Sequence, residues 1–177
     1  YKEALKYYKL SLKIAPTLKA KLIVQNNIAY NYLKQSKFQE AKNILESIKN
    51  NDSLKKEPIE YARVLDNLGY TKFKLNYING IDDLTKAKKI RVEKNDAIGL
   101  TASSMHLAEY YESSNLDLAK TYALEAFNYA TLAENQDDKL EALQYLSKVS
   151  TGEKSKKYAL RSFNLNDSIK TVKQQAK

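Results

Sequence analysis

Cysteine is absent from the 177 residues. That excludes a disulfide framework, a thiolate nucleophile and any cysteine-based metal site, and it does not assign a redox compartment. Only four glycines and two prolines occur. So few chain breakers argue against a many-stranded sheet, and the dominance of Leu, Ala, Lys and Glu suits helices. The single histidine, His106, has no second His or Cys with which to share a metal. The glycines at 69, 80, 99 and 152 stand apart from one another, so no glycine-rich phosphate loop exists. No apolar run approaches the roughly 18 residues needed to cross a bilayer, and no secretory signal is present. The chain opens at Tyr1 without Met and partway through a motif, so the expectation is a fragment of a longer protein.

Arginine is scarce as well. The net charge is +9, but of the 30 basic residues only Arg63, Arg91 and Arg161 are arginines. Arg is the usual bidentate reader of phosphate and guanine. The charge also changes sign along the chain: +7 over 1–58, +2 over 59–97, −4 over 98–136 and +4 over 137–177. A continuous basic track would not reverse in its third quarter, so nucleic acid is not the expected partner.

What is present is a repeat. Ile28-Ala29 recurs as Leu68-Gly69, Leu107-Ala108 and Leu146-Ser147, at intervals of 40, 39 and 39 residues. A second small position recurs as Ala41, Gly80 and Ala119, followed four residues later by Leu45, Leu84 and Ala123. Ala4, Tyr8 and Ser11 carry the same second-helix pattern, closed by Pro16. Small residues are needed where two helix backbones come closest, because a larger side chain would push them apart. The pattern predicts an all-α chain with a lone helix at 1–15. Helix pairs follow at 17–35 with 37–50, 59–75 with 77–94, 97–114 with 116–134, and 137–150 with 153–175. The corresponding repeats are 17–58, 59–96, 97–136 and an atypical 137–177, after a truncated unit at 1–16. Ser36 with Gln39 reads as a capping box, Asn115 and Thr151 as N-caps, and Pro58 as a first-turn proline. The polar stretch 50–57 reads as the longest linker.

These residues resemble tetratricopeptide repeats (TPRs), whose pattern L-G-x2-Y…A-x3-F…A…P reads here as Ile28-Ala29-x2-Tyr32 then Ala41-x3-Leu45. Later copies are Leu68-Gly69 with Gly80-x3-Leu84-x2-Ala87, and Leu107-Ala108-x2-Tyr111 with Ala119-x3-Ala123-x2-Ala126. The resemblance covers nearly the whole chain. The period of 39–40 exceeds the usual 34, Lys72 stands where an aromatic is expected, and the last hairpin is shorter by about one turn. The resemblance implies a right-handed α-solenoid of about nine helices, with the first helix of each pair lining a concave groove. The rows expected along that groove are Asn27, Asn67, His106 and Tyr145; Asn26, Asp66, Met105 and Gln144; and Tyr30, Tyr70, Glu109 and Lys148, with Arg63 one turn before Asn67. TPR proteins that bind extended peptides typically hold the ligand backbone with asparagines in the first row, which carries over to Asn27 and Asn67. A side-chain amide both donates and accepts, so it can pair with a peptide group of any sequence.

No enzyme signature emerges. Ser103, Ser104 and Glu109 lie close to His106 in sequence, but that spacing does not by itself make a triad. Asp82-Asp83 and Asp137-Asp138 read as helix N-terminal carboxylates that offset the macrodipole. The expectation is a non-catalytic interaction module without cofactor or metal, taking a peptide or protein in the groove, with self-association through the convex face or the ends as the other contact mode. The linker I-R-x-E-K-x-D-x-x-G and the tail SFNLNDSIKTVKQQAK further resemble the TPR sensor region of bacterial membrane-bound histidine kinases and related regulators. That resemblance implies an extracytoplasmic signalling role with the parent anchored in a membrane. The alternatives are a cytosolic TPR scaffold or co-chaperone and, behind it, a basic nucleic-acid-binding helical domain.

Overall fold

The computed structural model describes residues 2–175. They form ten helices and no strand, packed as consecutive neighbouring pairs in an all-α helical repeat. The chain divides into two compact units, Tyr1–Asn95 and Asp96–Lys177. The first holds α1 (Lys2–Ile14), α2 (Leu18–Lys34), α3 (Phe38–Lys49), α4 (Asp52–Lys55), α5 (Pro58–Lys74) and α6 (Gly80–Glu93). The second holds α7 (Ala97–Tyr111), α8 (Leu116–Leu132), α9 (Gln136–Val149) and α10 (Gly152–Gln175).

The small residues sit where the repeat predicts. Ala29, Ala41, Ala108 and Ala119 are fully buried. At the α5–α6 crossing the fit is tighter still. A Cβ added at Gly69 would lie 2.7 Å from the Gly80 carbonyl oxygen, and one at Gly80 would lie 2.7 Å from that of Gly69. The two helices therefore meet backbone to backbone. In the last hairpin the small positions are Ser147 and Ser155. Each hydroxyl donates to the other residue's carbonyl oxygen, at 3.3 and 2.8 Å. These partners are eight residues apart, against eleven or twelve in the other hairpins, so the shortened hairpin is real.

Turn chemistry corrects two expectations. Ser36 is not an N-cap: it has φ +58° and closes α2 in the left-handed region, with the Lys37 N–H donating to the Tyr32 carbonyl. Asn76 repeats this geometry after α5, with φ +61° and the Tyr77 N–H on the Lys72 carbonyl. The N-cap of α3 is Lys37, without a side-chain bond, and Gln39 donates to Asn43 instead. The stretch 50–57 is not a plain linker either. Asn51 caps the short α4 by accepting from the Ser53 N–H, and this turns Leu54 into the core. Asn115 caps α8 through the Leu118 N–H and Pro58 opens α5, as expected. Thr151 precedes α10, its carbonyl accepting from the Ser155 N–H.

The core of the first unit runs through Leu22, Ala29, Leu33, Ala41, Leu45, Ile48, Leu54, Val64 and Leu68. The second unit packs Met105 with Ala126 and Ala142, and Ala108 with Ala123 and Leu146. Phe127 and Tyr145 border both groups.

Candidate functional site

The residues expected to face a ligand are described unit by unit. In the first unit, α2 and α5 lie side by side and are joined by their own side chains. The Arg63 guanidinium pairs with Glu60 at 2.9 Å and donates to Asn27 Oδ1 at 3.3 Å. Asn67 Nδ2 donates to Asn26 Oδ1 at 2.9 Å in a buried amide pair. Asn26 Nδ2 is buried with no hydrogen-bond partner in the protein. Tyr30 is exposed and Tyr70 half-buried.

Three of the four residues of the second expected row lie inside the protein, and the fourth, Gln144, is exposed. Asn26, Asp66 and Met105 are buried, at 1%, 1% and 7% exposure. Asp66 meets Arg91 of α6 at 3.3 Å, both side chains inside the protein. Met105 packs against Ala126 of α8 and Ala142 of α9. The reason is geometric: one residue along a helix rotates the side chain by about 100°, which carries these positions off the outer face and into the packing. Asn67, placed in the first row, is also largely buried by its bond to Asn26.

Two lysines missing from the expected rows complete the face of the first unit. The Lys34 ammonium lies over the Tyr30 ring, 5.3 Å from its centroid, and that of Lys74 over the Tyr70 ring, at 4.9 Å. Both helices thus carry the same set, Asn-x2-Tyr-x3-Lys: Asn27, Tyr30 and Lys34 on α2, and Asn67, Tyr70 and Lys74 on α5. The 40-residue offset was the available signal, since the lysines recur with the period that identified the small residues.

The second unit presents different chemistry at the same repeat positions. His106 and Glu109 are half-buried on α7, and Gln144 and Lys148 are exposed on α9. Lys148 binds Glu112 at 2.7 Å and lies over the Tyr145 ring. The Tyr145 hydroxyl donates to the Ala108 carbonyl at 2.9 Å. Burial, and then the neighbouring Glu112 and Glu109 carboxylates, push the Tyr145 phenol well above its ordinary pKa. Behind this face Tyr111 stacks on Tyr122 with centroids 5.8 Å apart, and Tyr110 meets Tyr111 edge-on. Burial, then Tyr111 and Glu125, also raise the Tyr122 phenol.

Among the described residues, no group of three or more His, Asp or Glu side chains could hold a metal ion. No described helix is long and apolar enough to cross a membrane. No protein-family model matches the chain, and no curated protein matches it.

Proposed function

We propose that this chain is a non-catalytic interaction module of the TPR type, and that the outer face of α2 and α5 receives an extended peptide segment of a partner protein. The observation that carries this reading is the repeated set on adjacent helices. Asn27, Tyr30, Arg63 and Tyr70 are accessible in part, while the layer beneath them is fixed by the Asn26–Asn67 amide pair and the Asp66–Arg91 ion pair. A rigid support under polar and aromatic groups lowers the ordering cost of binding. Tyr supplies contact area and a hydrogen-bonding tip together.

The resemblance to bacterial TPR sensors supports a signalling context, in which this array is the sensory or scaffolding part of a membrane-anchored receptor. The linker motif that carries the resemblance also has local work in the fold. Arg91 pairs with Asp66, and Asp96 caps α7 by accepting from the Gly99 N–H at 3.0 Å. The motif thus supports the kind of repeat more strongly than the signalling role.

The test is selection from a random peptide display library on the immobilised chain, followed by titration of the selected peptides. The triple variant Asn27→Ala, Tyr30→Ala, Arg63→Ala should bind them about tenfold or more weakly while keeping its helical circular dichroism. Undiminished affinity in the folded variant, or a library that yields no binder, overturns the proposal.

A further inference from the structure

We infer that Asn79–Gly80, in the turn between α5 and α6, is a site of spontaneous covalent modification, where Asn79 loses ammonia and becomes aspartate or isoaspartate while the fold persists. This goes beyond the peptide-binding reading and does not depend on it. Asn79 is the one asparagine of the sequence followed by glycine. The reaction needs the backbone nitrogen of the next residue to reach the asparagine side chain, and a side chain on that next residue hinders the approach. Glycine has none. Packing calls for the glycine here, because a Cβ at Gly80 would lie 2.7 Å from the Gly69 carbonyl oxygen. The neighbouring hairpins cross at Ala41 and Ala119 instead, preceded by Glu40 and Leu118. The close crossing of α5 and α6 thus brings the reactive dipeptide into this turn alone.

The turn leaves the reacting groups accessible. Asn76, Tyr77, Ile78 and Asn79 are all exposed. Asn79 precedes α6 with φ −77° and ψ 8°, and its side chain makes no cap hydrogen bond. The capping asparagines Asn51, Asn115 and Asn135 are held differently, each accepting from a backbone N–H. The Gly80 N–H belongs to the first turn of α6, where N–H groups have no partner within the helix. Its bond to the Tyr77 carbonyl is long, at 3.3 Å. Ring closure swings the 79–80 peptide away from ψ 8° until its nitrogen eclipses the Asn79 Cβ. The exposed tip makes that rotation by local opening while Gly80 stays against Gly69.

The steps balance with water as the reactant from outside the chain. The Gly80 nitrogen gives its proton to solvent base and bonds to Asn79 Cγ. The C–N bond of the side-chain amide breaks, and ammonia leaves with a proton returned from solvent. Water then opens the cyclic imide. Opening at the side-chain carbonyl gives aspartate. Opening at the main-chain carbonyl gives isoaspartate, in which the chain runs through Cβ and Cγ. Either product replaces a neutral amide with a carboxylate at the head of α6, where negative charge offsets the macrodipole. Isoaspartate also adds one carbon to the backbone between Asn76 and Gly80. That interval is a residue shorter than its counterpart Ser36–Ala41 in the first hairpin. The added length therefore fits the turn without shifting the Gly69–Gly80 contact.

The test is timed incubation of the full chain at mildly alkaline pH, followed by brief tryptic digestion and fragment-ion mass spectrometry. The peptide Leu75–Lys86 should gain the mass that exchange of NH2 for OH brings, at least about tenfold faster at Asn79 than at Asn76. The aged chain should accept methyl groups from S-adenosylmethionine through an isoaspartyl carboxyl methyltransferase, and should keep its helical circular dichroism. The Asn79→Gln variant should show neither the mass gain nor the methylation. The rate at Asn79 should rise with pH, because the attacking nitrogen must lose its proton. Equal rates at Asn79 and Asn76 overturn the inference, as does methylation undiminished in Asn79→Gln. Modification of Asn79 in the guanidinium-unfolded chain but not in the native one also overturns it, since the turn then shields the pair. So does a loss of helical circular dichroism in step with the mass gain, since the fold then does not survive the change.

Discussion

The second and third hairpins solve one packing problem in two ways. In α5–α6, Lys72 and Asp83 face each other inside the protein, their charged atoms 2.8 Å apart. Thirty-nine residues later, in α7–α8, the same two positions hold Tyr111 and Tyr122, stacked with their rings nearly parallel. The exchange occurs a second time. Asp66 and Arg91 form a buried ion pair, and their repeat counterparts are Met105 and Ala130, both buried. Asp66, Lys72, Asp83 and Arg91 are the buried charged side chains among the described residues, and all lie in the first unit. An apolar pair of similar volume often stabilises a fold as well as a buried ion pair or better, but the two respond differently to losing one member. Removing one ion strands the other in low dielectric, whereas removing one ring leaves a cavity.

The sharpest break in this comparison is Asp83→Ala. Asp83 also binds Lys49 of α3, so its loss strands two ammoniums, and unfolding by urea should show a loss of about 3–5 kcal/mol. The double replacement Lys72→Tyr, Asp83→Tyr, which copies the third hairpin, should recover the part of that loss that comes from Lys72, while Lys49 still lacks its carboxylate. A double variant as unstable as the single one would show that the two solutions are not interchangeable. Next in size is Gly69→Ala, which makes the second crossing resemble the alanine crossings of its neighbours. Its methyl would meet the Gly80 backbone, so a loss of about 1–3 kcal/mol in thermal or urea unfolding is expected. An unchanged midpoint would mean that α5 and α6 separate freely. The smallest effect is in the second unit and depends on pH. The Tyr145 phenol ionises near 10 when unfolded and well above that when folded. Its proton is therefore held more tightly by the native state, and stability should fall as pH rises past 10. Tyr145→Phe should lower stability by about 1 kcal/mol near neutrality through loss of the bond to Ala108, and should flatten the alkaline decline. An identical alkaline slope in the variant would place the titrating group elsewhere.

The hairpins were legible because small residues at close crossings leave a direct trace in the sequence. Ala29, Ala41, Gly69, Gly80, Ala108 and Ala119 set the period, and the helix ends fall within three residues of the expected ones. The ion pairs were not legible. Lys49 and Asp83 are 34 residues apart and sit on positions where the other repeats carry no charge pair. Asp83 instead read as a carboxylate offsetting the start of α6. Ser36 is ambiguous in the sequence because serine suits both an N-cap and a turn, and only the backbone sign of φ separates them. The four-residue α4 is too short to show a helical period. At the candidate face, the register identified Asn27, Tyr30 and Tyr70, but one residue of rotation hid the burial of Asn26 and Asp66.

The left-handed residues that end α2 and α5 fix the count of each hairpin from one side only. Ala29 to Ser36 and Gly69 to Asn76 are both seven residues, close to two helical turns, so each crossing residue and its terminator keep a constant phase. The next interval is free to differ: five residues from Ser36 to Ala41, four from Asn76 to Gly80. Length variation has thus been accommodated downstream of the terminator. An added residue just after Ser36 or Asn76 would leave the outer face of the first helix in phase. The same addition before either would swing Asn27 or Asn67 by about 100° and erase the face.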